Sequence, residues 1–393
     1  MSLATPDLAT ENTFDYIITG AGCAGLSLVQ HMIKSGGFTG KKILLIDKDA
    51  KMKNDRTWCF WEQQPGLFQA IVKKQWKQLW FRSHGFSKKL AIAPYAYNLI
   101  RGIDFYTYCL NEISRQPNIT FLTASVDEIF STAARGTGVV ADGKTYRANL
   151  IFNSILFQKP ILKLKEYWLL QHFKGWFIET ATPQFDEQVG TLMDFRTAQD
   201  KGATFFYVLP FSPTQALVEY TLFSKELLPD DVYETALNAY VTQTLNIPVY
   251  DITEKEFGVI PMSNYSFPTG ENNIVNIGTA GGHTKASSGY TFTFIQKSSA
   301  AIVESLLRNS LTFSKPHGSK RFHFYDSVLL YILHNNTLRG ADIFTDFFKH
   351  NKPQQVLKFL DNETSVPEEV QLISSLPTMP FLKAALKQVA PFG

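Results

Sequence analysis

The stretch FDYIITGAGCAG, Phe14 to Gly25, decides how this chain is read. Phe14 to Thr19 is a short apolar run of the kind that forms a buried strand. It leads directly into Gly20, Gly22 and Gly25, and the following LSLVQHMIKSG has helical periodicity through Leu26, Val29 and Ile33. Gly20 permits a tight turn off the strand, Gly22 lets the backbone approach a pyrophosphate, and Gly25 lets the helix pack closely on the sheet. Cys23 and Ala24 then open the helix, whose first amides and positive dipole end face the phosphates. Gly36-Gly37 is a helix stop, and KKILLID forms a second strand closing on Asp47, placed to accept hydrogen bonds from an adenosine ribose. This strand, turn, helix and strand unit predicts a Rossmann-type dinucleotide site. It occurs once, which argues for one tightly held dinucleotide, and the motif by itself serves FAD and NAD alike.

Downstream, Asn98 to Leu110 reads as a turn followed by a helix, and NITFLTASV (Asn118 to Val126) and ANLIFNS (Ala148 to Ser154) read as strands. From Tyr167 the pattern turns to strands and hairpins: WFIET, GTLMDF, TFFYVLP and ALVEYTLF, with Pro210, Ser212 and Pro213 punctuating the last pair. A helix is expected around Asp231 to Leu245. NNIVNIGTAGG (Asn272 to Gly282) looks like a return to the nucleotide domain, and FTFIQKSSAAIVESLL like a helix after it. The last eighty or so residues read as mainly helical, with PQQVLKFLDN and PEEVQLISSL as amphipathic pieces.

Composition narrows the classes. A chain of 393 residues with 45% hydrophobic residues has material for two or three subdomains. A net charge of +3 without a basic stripe argues against nucleic acid as a partner. The aromatic share of 14%, with 32 Phe, suits a Phe-rich core or a long apolar ligand. Cys23, Cys59 and Cys109 form no CxxC pair, fit a reducing compartment, and leave no zinc site of ordinary spacing. MSLATPDLATENT does not read as a secretory signal, and no run of about 18 apolar residues is present to span a bilayer. Membrane contact is expected to be peripheral.

At DRTWCFWE (Asp55 to Glu62) the chain resembles the lycopene beta-cyclases of bacterial carotenoid pathways. RGIDFY (Arg101 to Tyr106), MDFR (Met193 to Arg196), FFYVLPFSPTQALVEYTLFS (Phe205 to Ser224), IGTAGGHTKASSGYTF (Ile277 to Phe292), VLKFLDNETS and LPTMPFLKAAL extend the likeness over nearly the whole chain in order. The resemblance implies an aromatic-hydroxylase-like flavoprotein: an α/β FAD-binding domain with an inserted β-sheet substrate domain and a helical C-terminal region. On this chain the expected division is 14–75, 98–160 and 255–310 for FAD, 76–97 and 161–254 for the sheet domain, and 311–393 for the helices. It also implies FAD contacts at Arg56, at Arg101 near the pyrophosphate, at Val126 near the adenine, and at Gly278, Gly289 and Tyr290 beside the ribityl chain and ring. Many relatives carry Gly-Asp-Ala where this chain has Gly278-Thr279-Ala280.

The implied reaction is a non-redox ring closure of lycopene and related acyclic carotenoids with reduced FAD, NAD(P)H being a candidate reductant. The implied setting is the cytoplasmic side, peripherally on the inner membrane. The family's acidic FLEET motif corresponds to Leu217-Val218-Glu219-Tyr220-Thr221, so Glu219 matches the first acid and Tyr220 replaces the second. Strand alternation puts Leu217, Glu219 and Thr221 on one face. A carboxyl among such neighbours is poorly solvated, and desolvation raises its pKa, as a general acid requires. Asp194 and Arg196 read as an ion pair or cavity wall. Trp58, Phe60 and Trp61 read as core or polyene lining, and His283 as a backbone anchor. Two other readings of the same fold are an FAD-dependent isoprenoid reductase or monooxygenase and a non-enzymatic carotenoid-binding flavoprotein.

Overall fold

A computed structural model describes residues 12–313 and 320–389. The N-terminal segment read above for a secretory signal lies almost wholly outside them. The glycine-rich stretch folds as its pattern predicts. Thr13–Thr19 is a strand, Cys23–Ser35 a helix ended by Gly36 at φ 68°, and Ile43–Asp47 the next strand. Thr13–Thr19 pairs in parallel with Ile43–Asp47 on one side and Lys144–Asn153 on the other. Ile119–Thr123 and Ile274–Asn276 extend this parallel core outward. NNIVNIG therefore does return to the first sheet. The strands are continuous apolar runs because helices cover them, and Ile18, Leu26, Val29 and Ile295 share one core.

The turn itself is set by a close approach. A Cβ on Gly25 would sit 2.0 Å from the Gly20 carbonyl oxygen, and Gly20 has φ 92°. The helix can thus lie against the strand end only if residue 25 has no side chain.

A second sheet of seven strands runs in the order Asp251–Ser263, Trp168–Glu179, Gln215–Ser224, Ala203–Pro210, Val189–Asp194, Gln78–Ser83, Phe86–Ala91. One face carries Trp176, Phe206, Val218 and Tyr220, covered by the helix Asp230–Ala239 and the wide turn after it. The other face packs partly on the C-terminal helices, where Phe195 and Phe205 meet Phe344 in one core, and partly lines a cavity. A small sheet of Thr57–Glu62, Ala96–Arg101 and Lys74–Trp76 lies beside it.

The hairpin strands after Tyr167, the helix near Asp231, the helix Phe292–Leu307 and the helical C-terminal region appear where the sequence puts them. Two readings need correction. Asn98 to Arg101 is strand, not turn, because Asn98 pairs with Phe60 and Arg101 with Thr57. Asp251–Ser263, a 13-residue edge strand, has no counterpart in the sequence reading, since its charged first half lacks an apolar alternation.

Gly25→Ala should destabilise the fold by about 1–3 kcal/mol, the usual cost of overpacking. Urea unfolding of wild type and variant measures this, and an unchanged midpoint would mean that the turn can open without penalty.

Candidate active site

A cavity of about 430 Å³ lies between the glycine turn and the second sheet. Gly22, Cys23 and Ala24 line it from the turn, and Arg56 from the segment after the second strand. Gly278, Gly289 and Tyr290 line it from the loop that follows Ile274–Asn276, and Glu219 from the sheet. Residues more than 250 positions apart are thus brought to one space. Gly20, Gly25, Asp47, Arg101 and Val126 do not line it. Gly20 and Gly25 shape the turn behind it. Asp47 accepts the Ala21 amide at 2.7 Å and pairs with Lys51 at 3.1 Å. Arg101 is bound by Asp104 at 2.9 Å at the start of the helix Gly102–Ser114. Val126 begins a strand of the hairpin beside the first sheet.

The turn fits a dinucleotide. A Cβ on Gly22 would meet nothing within 4 Å, so the space before it is open. Among the described residues, no side chain caps the helix Cys23–Ser35, and its first residues, Cys23 and Ala24, line that space. His283, buried beneath the loop, accepts the Gly278 amide through Nδ1 at 3.3 Å and contacts Ser298 through Nε2 at 3.3 Å. It anchors the backbone, as its position suggested. Burial pushes the Cys23 thiol up to about 12, so it stays protonated.

Glu219 sits on Gln215–Ser224 beside Leu217, and the surface it retains faces the cavity. Thr221 donates to its Oε1 at 2.6 Å. Burial raises its carboxyl from the ordinary 4.5 to about 7, against the opposing effect of its hydrogen bonds. Tyr220 points to the opposite face and packs on Phe206, so it takes no part in the cavity.

The second carboxyl absent from the local motif comes from another strand. Glu256 on Asp251–Ser263 and Glu219 on Gln215–Ser224 both pair with Gly175 of the strand between them. Glu256 is 3% exposed, and Thr57 donates to its Oε2 at 2.7 Å. Burial and the neighbouring Glu219 hold its carboxyl well above the usual carboxylate range. The sequence reading missed Glu256, Thr57 and Gly175, because only strand pairing connects them to Glu219.

On the sheet side, the rest of the wall is neutral. Tyr207, opposite Glu219 in the sheet, has its hydroxyl 3.4 Å from that of Tyr290. Burial raises the Tyr97, Tyr207 and Tyr290 phenols and the Cys59 thiol, so none ionises near neutral pH. Of the three aromatics after Arg56, Trp58 lines the cavity, Phe60 stacks on Phe292 at 4.2 Å, and Trp61 meets Tyr290 edge-on at 4.4 Å. Asp194 binds Arg196 at 2.6 Å and accepts from the Tyr240 hydroxyl at 2.7 Å, on the covered face. No cluster of His, Cys, Asp or Glu among the described residues is arranged to hold a metal.

A family model described as lycopene cyclase protein matches residues 15–386. The chain is 24% identical over 329 residues to neoxanthin synthase, chloroplastic, of Solanum tuberosum, covering 79% of this chain and 64% of that protein. The homologous protein of Solanum lycopersicum matches to the same extent, so the chain spans less than two thirds of these relatives. Among solved structures, a flavoprotein/dehydrogenase from Cytophaga hutchinsonii has TM-score 0.65 at 12% identity, over 96% of this chain and 99% of that one. A geranylgeranyl bacteriochlorophyll reductase-like protein from Thermoplasma acidophilum has TM-score 0.62 at 11% identity, over 96% and 100%. The fold is that of the aromatic-hydroxylase-like flavoproteins, with mixed α/β sheets and C-terminal helices.

Gly22→Val should leave stability unchanged, since its backbone is extended at φ −82° and its Cβ meets no atom, yet weaken FAD binding about tenfold or more by filling the phosphate space. Flavin titration beside thermal unfolding reads both. Unchanged FAD affinity would place the dinucleotide elsewhere.

Proposed function

The chain belongs to the lycopene cyclase family, and we propose that it closes β-ionone rings on the ends of lycopene by acid catalysis, with Glu219 as the proton donor. The observation that carries this reading is a carboxyl raised to about 7 by burial, in the cavity that the glycine turn also lines.

Protonating an unactivated alkene needs an acid that keeps its proton near neutral pH and does not share it with water. Glu219 meets both needs. Its O–H adds to the terminal double bond, the tertiary cation is attacked by the neighbouring double bond, and a six-membered ring closes. Loss of a ring proton gives the β-ring, and the Glu219 carboxylate is placed to take that proton back. No electrons are exchanged overall. Tyr97, Tyr207 and Trp58 surround the reacting end with neutral aromatic faces, which attract a cation without capturing it. FAD, bound in its reduced form at the glycine turn with Gly278, Gly289 and Tyr290 alongside, would supply negative charge near the cation. NAD(P)H is a reductant suited to prime it.

A carotenoid must be taken from lipid, and we place the docking surface on the last two helices. Thr378–Val389 exposes Met379, Leu382, Leu386 and Val389 as one stripe, with Lys383 and Lys387 next to it. Val366–Ser374 adds Val366 and Val370. An apolar stripe flanked by lysines is the pattern of a helix lying in a membrane interface. Val370 and Leu382 also line a second cavity of about 490 Å³, largely apolar, whose lining reaches Ser287 in the Gly278–Gly289 loop. No helix among the described residues is long and apolar enough to cross a membrane.

Glu219→Gln should lower anaerobic lycopene turnover by more than the usual ~10²-fold loss of a general acid, at equal flavin content. Wild-type turnover should be full below about 7 and fall as pH rises through it, because the donor must be protonated. Near-normal ring formation by the Gln variant would remove Glu219 from the chemistry. One NAD(P)H consumed per ring would favour an isoprenoid reductase instead.

Replacing Leu386 and Val389 together by Glu should reduce sedimentation with vesicles of phosphatidylcholine and anionic lipid about tenfold or more, with unfolding unchanged. Vesicle binding equal to wild type would move the docking surface away from this helix.

A further inference from the structure

Glu256 does not line the cavity, is more deeply buried than Glu219, and stands across Gly175 from it in the sheet. Two observations define its state. Its Oε2 accepts from Thr57 at 2.7 Å. Its Oε1 is buried and has no donor among the surrounding hydroxyls and amides. The Glu219 carboxyl, opposite the same Gly175, is the neighbouring acid whose electrostatics are linked to its own. Two carboxylates cannot bond to each other, so a bond between them requires a proton, and the unsatisfied Oε1 is the atom that lacks one. The backbone is built for this contact. Gly175 pairs with both residues, and a Cβ there would sit 2.9 Å from Glu256 Cγ and 3.1 Å from its Oε1. Any side chain at 175 would press on the Glu256 carboxyl and on Leu217, the neighbour of Glu219 on the same strand face.

We propose that Glu256 is a positioning residue that keeps a proton on Oε1 and donates it as a hydrogen bond to Glu219, making Glu219 a stronger acid than burial alone would allow. This rests on Glu219 being the donor. In the step, the Glu219 O–H bond breaks as the substrate C–H bond forms, and the carboxylate left behind is held by the Glu256 O–H, which does not transfer. The ring proton later returns to Glu219, and the pair ends as it began. A hydrogen bond that strengthens as its acceptor becomes charged stabilises the product of proton donation more than the starting acid. As in other carboxyl dyads, the titration of each group depends on the state of the other.

The other titratable groups facing the pair do not explain its behaviour. Cys59, Tyr97, Tyr207 and Tyr290 stay protonated through neutral pH because burial raises them all. Glu254, two residues from Glu256 along the strand, accepts from Asn54 at 2.6 Å. Asp361 is also raised to about 7, but it lies beside Trp61 and Lys285, away from the pair.

The test compares Glu256→Met, Glu256→Gln and Asp361→Asn in the flavin-loaded enzyme. Glu256→Met removes the donor. Maximal lycopene turnover should fall about tenfold to a hundredfold, and the alkaline limb should move to higher pH, because the Glu219 carboxylate loses its stabilising bond. Glu256→Gln keeps an N–H toward Glu219 and a carbonyl toward Thr57, so it should restore most of the turnover and a limb near that of wild type. Asp361→Asn should leave the limb in place. Infrared difference spectra above the limb should show a protonated carboxyl in wild type that is missing in Glu256→Gln. A limb that moves to lower pH in Glu256→Met would mean that Glu256 is ionised, and overturn the proposal. So would a rate loss with an unmoved limb, a Gln variant as impaired as the Met variant, a limb that follows Asp361, or no infrared band. Full turnover by Glu219→Gln would instead sink the donor assignment itself, while the infrared band would still report the proton on Glu256.

Discussion

The pairing of the strand Trp168–Glu179 along both of its edges is the constraint from which the site follows. Its register sets Gly175 opposite Glu219 on one side and Glu256 on the other. Side chains alternate along a strand, so a slip of one residue would send Glu219 to the face of Val218 and Tyr220, against the helix Asp230–Ala239. That register is held by what each face must bury. Val218, Tyr220 and Leu222 are apolar and covered, while Leu217, Glu219 and Thr221 face inward, so the same alternation that forms the core also presents the carboxyl. Burying two carboxyls is costly unless they are neutral and bonded. Thr221 and Thr57 each supply one short hydrogen bond to a carboxyl oxygen, and burial favours the uncharged forms.

The sheet is useful only because the nucleotide fold ends opposite it. The loop after Ile274–Asn276 turns at Gly278, where φ is 58° and a Cβ would sit 2.7 Å from that of Ala24. This contact locks the loop to the start of the helix Cys23–Ser35, and His283 and Ser298 hold it from beneath. Tyr290, at the far end of the loop, reaches Tyr207 of the sheet. A single loop therefore joins the glycine turn to the strand next to Glu219, and the distance between them is set by close packing.

Much of this was legible in the sequence where the signal is local. The glycine turn, the strand that ends at Asp47, the hairpin strands and the C-terminal helices each follow from spacing within a few residues. Glu219 was legible through alternation on ALVEYT together with the family's acidic motif. Glu256 was not. Its neighbours Glu254 and Lys255 make the stretch look like a solvated loop, and nothing within it points to a partner 37 residues earlier. Glu256 is buried because its strand lies beside one whose residue 175 is glycine, a fact of pairing and not of pattern. The strand Ala96–Arg101 was misread for a related reason: its last residues run straight into a helix, and only its pairing with Thr57–Glu62 shows them to be extended.

The composition of the cavity wall follows from the same physical demand as the acid. On the proposed reaction the chamber generates a carbocation, and it must hold no group that will capture the cation and no positive charge that repels it. Cys59, which lines the cavity with Glu219, is kept as a thiol by burial, a weak nucleophile compared with the thiolate. Its phenols are likewise kept neutral, so they offer aromatic faces and no phenolate oxygen. Arg56 is the charged cation on the wall, and it lies on the glycine-turn side, bound to Asp55 at 2.7 Å. At that end a positive charge suits phosphate. At the sheet end the wall is uncharged except when Glu219 has given up its proton. The one charge that appears there is therefore negative, and on the proposed reaction it appears at the moment the cation forms beside it.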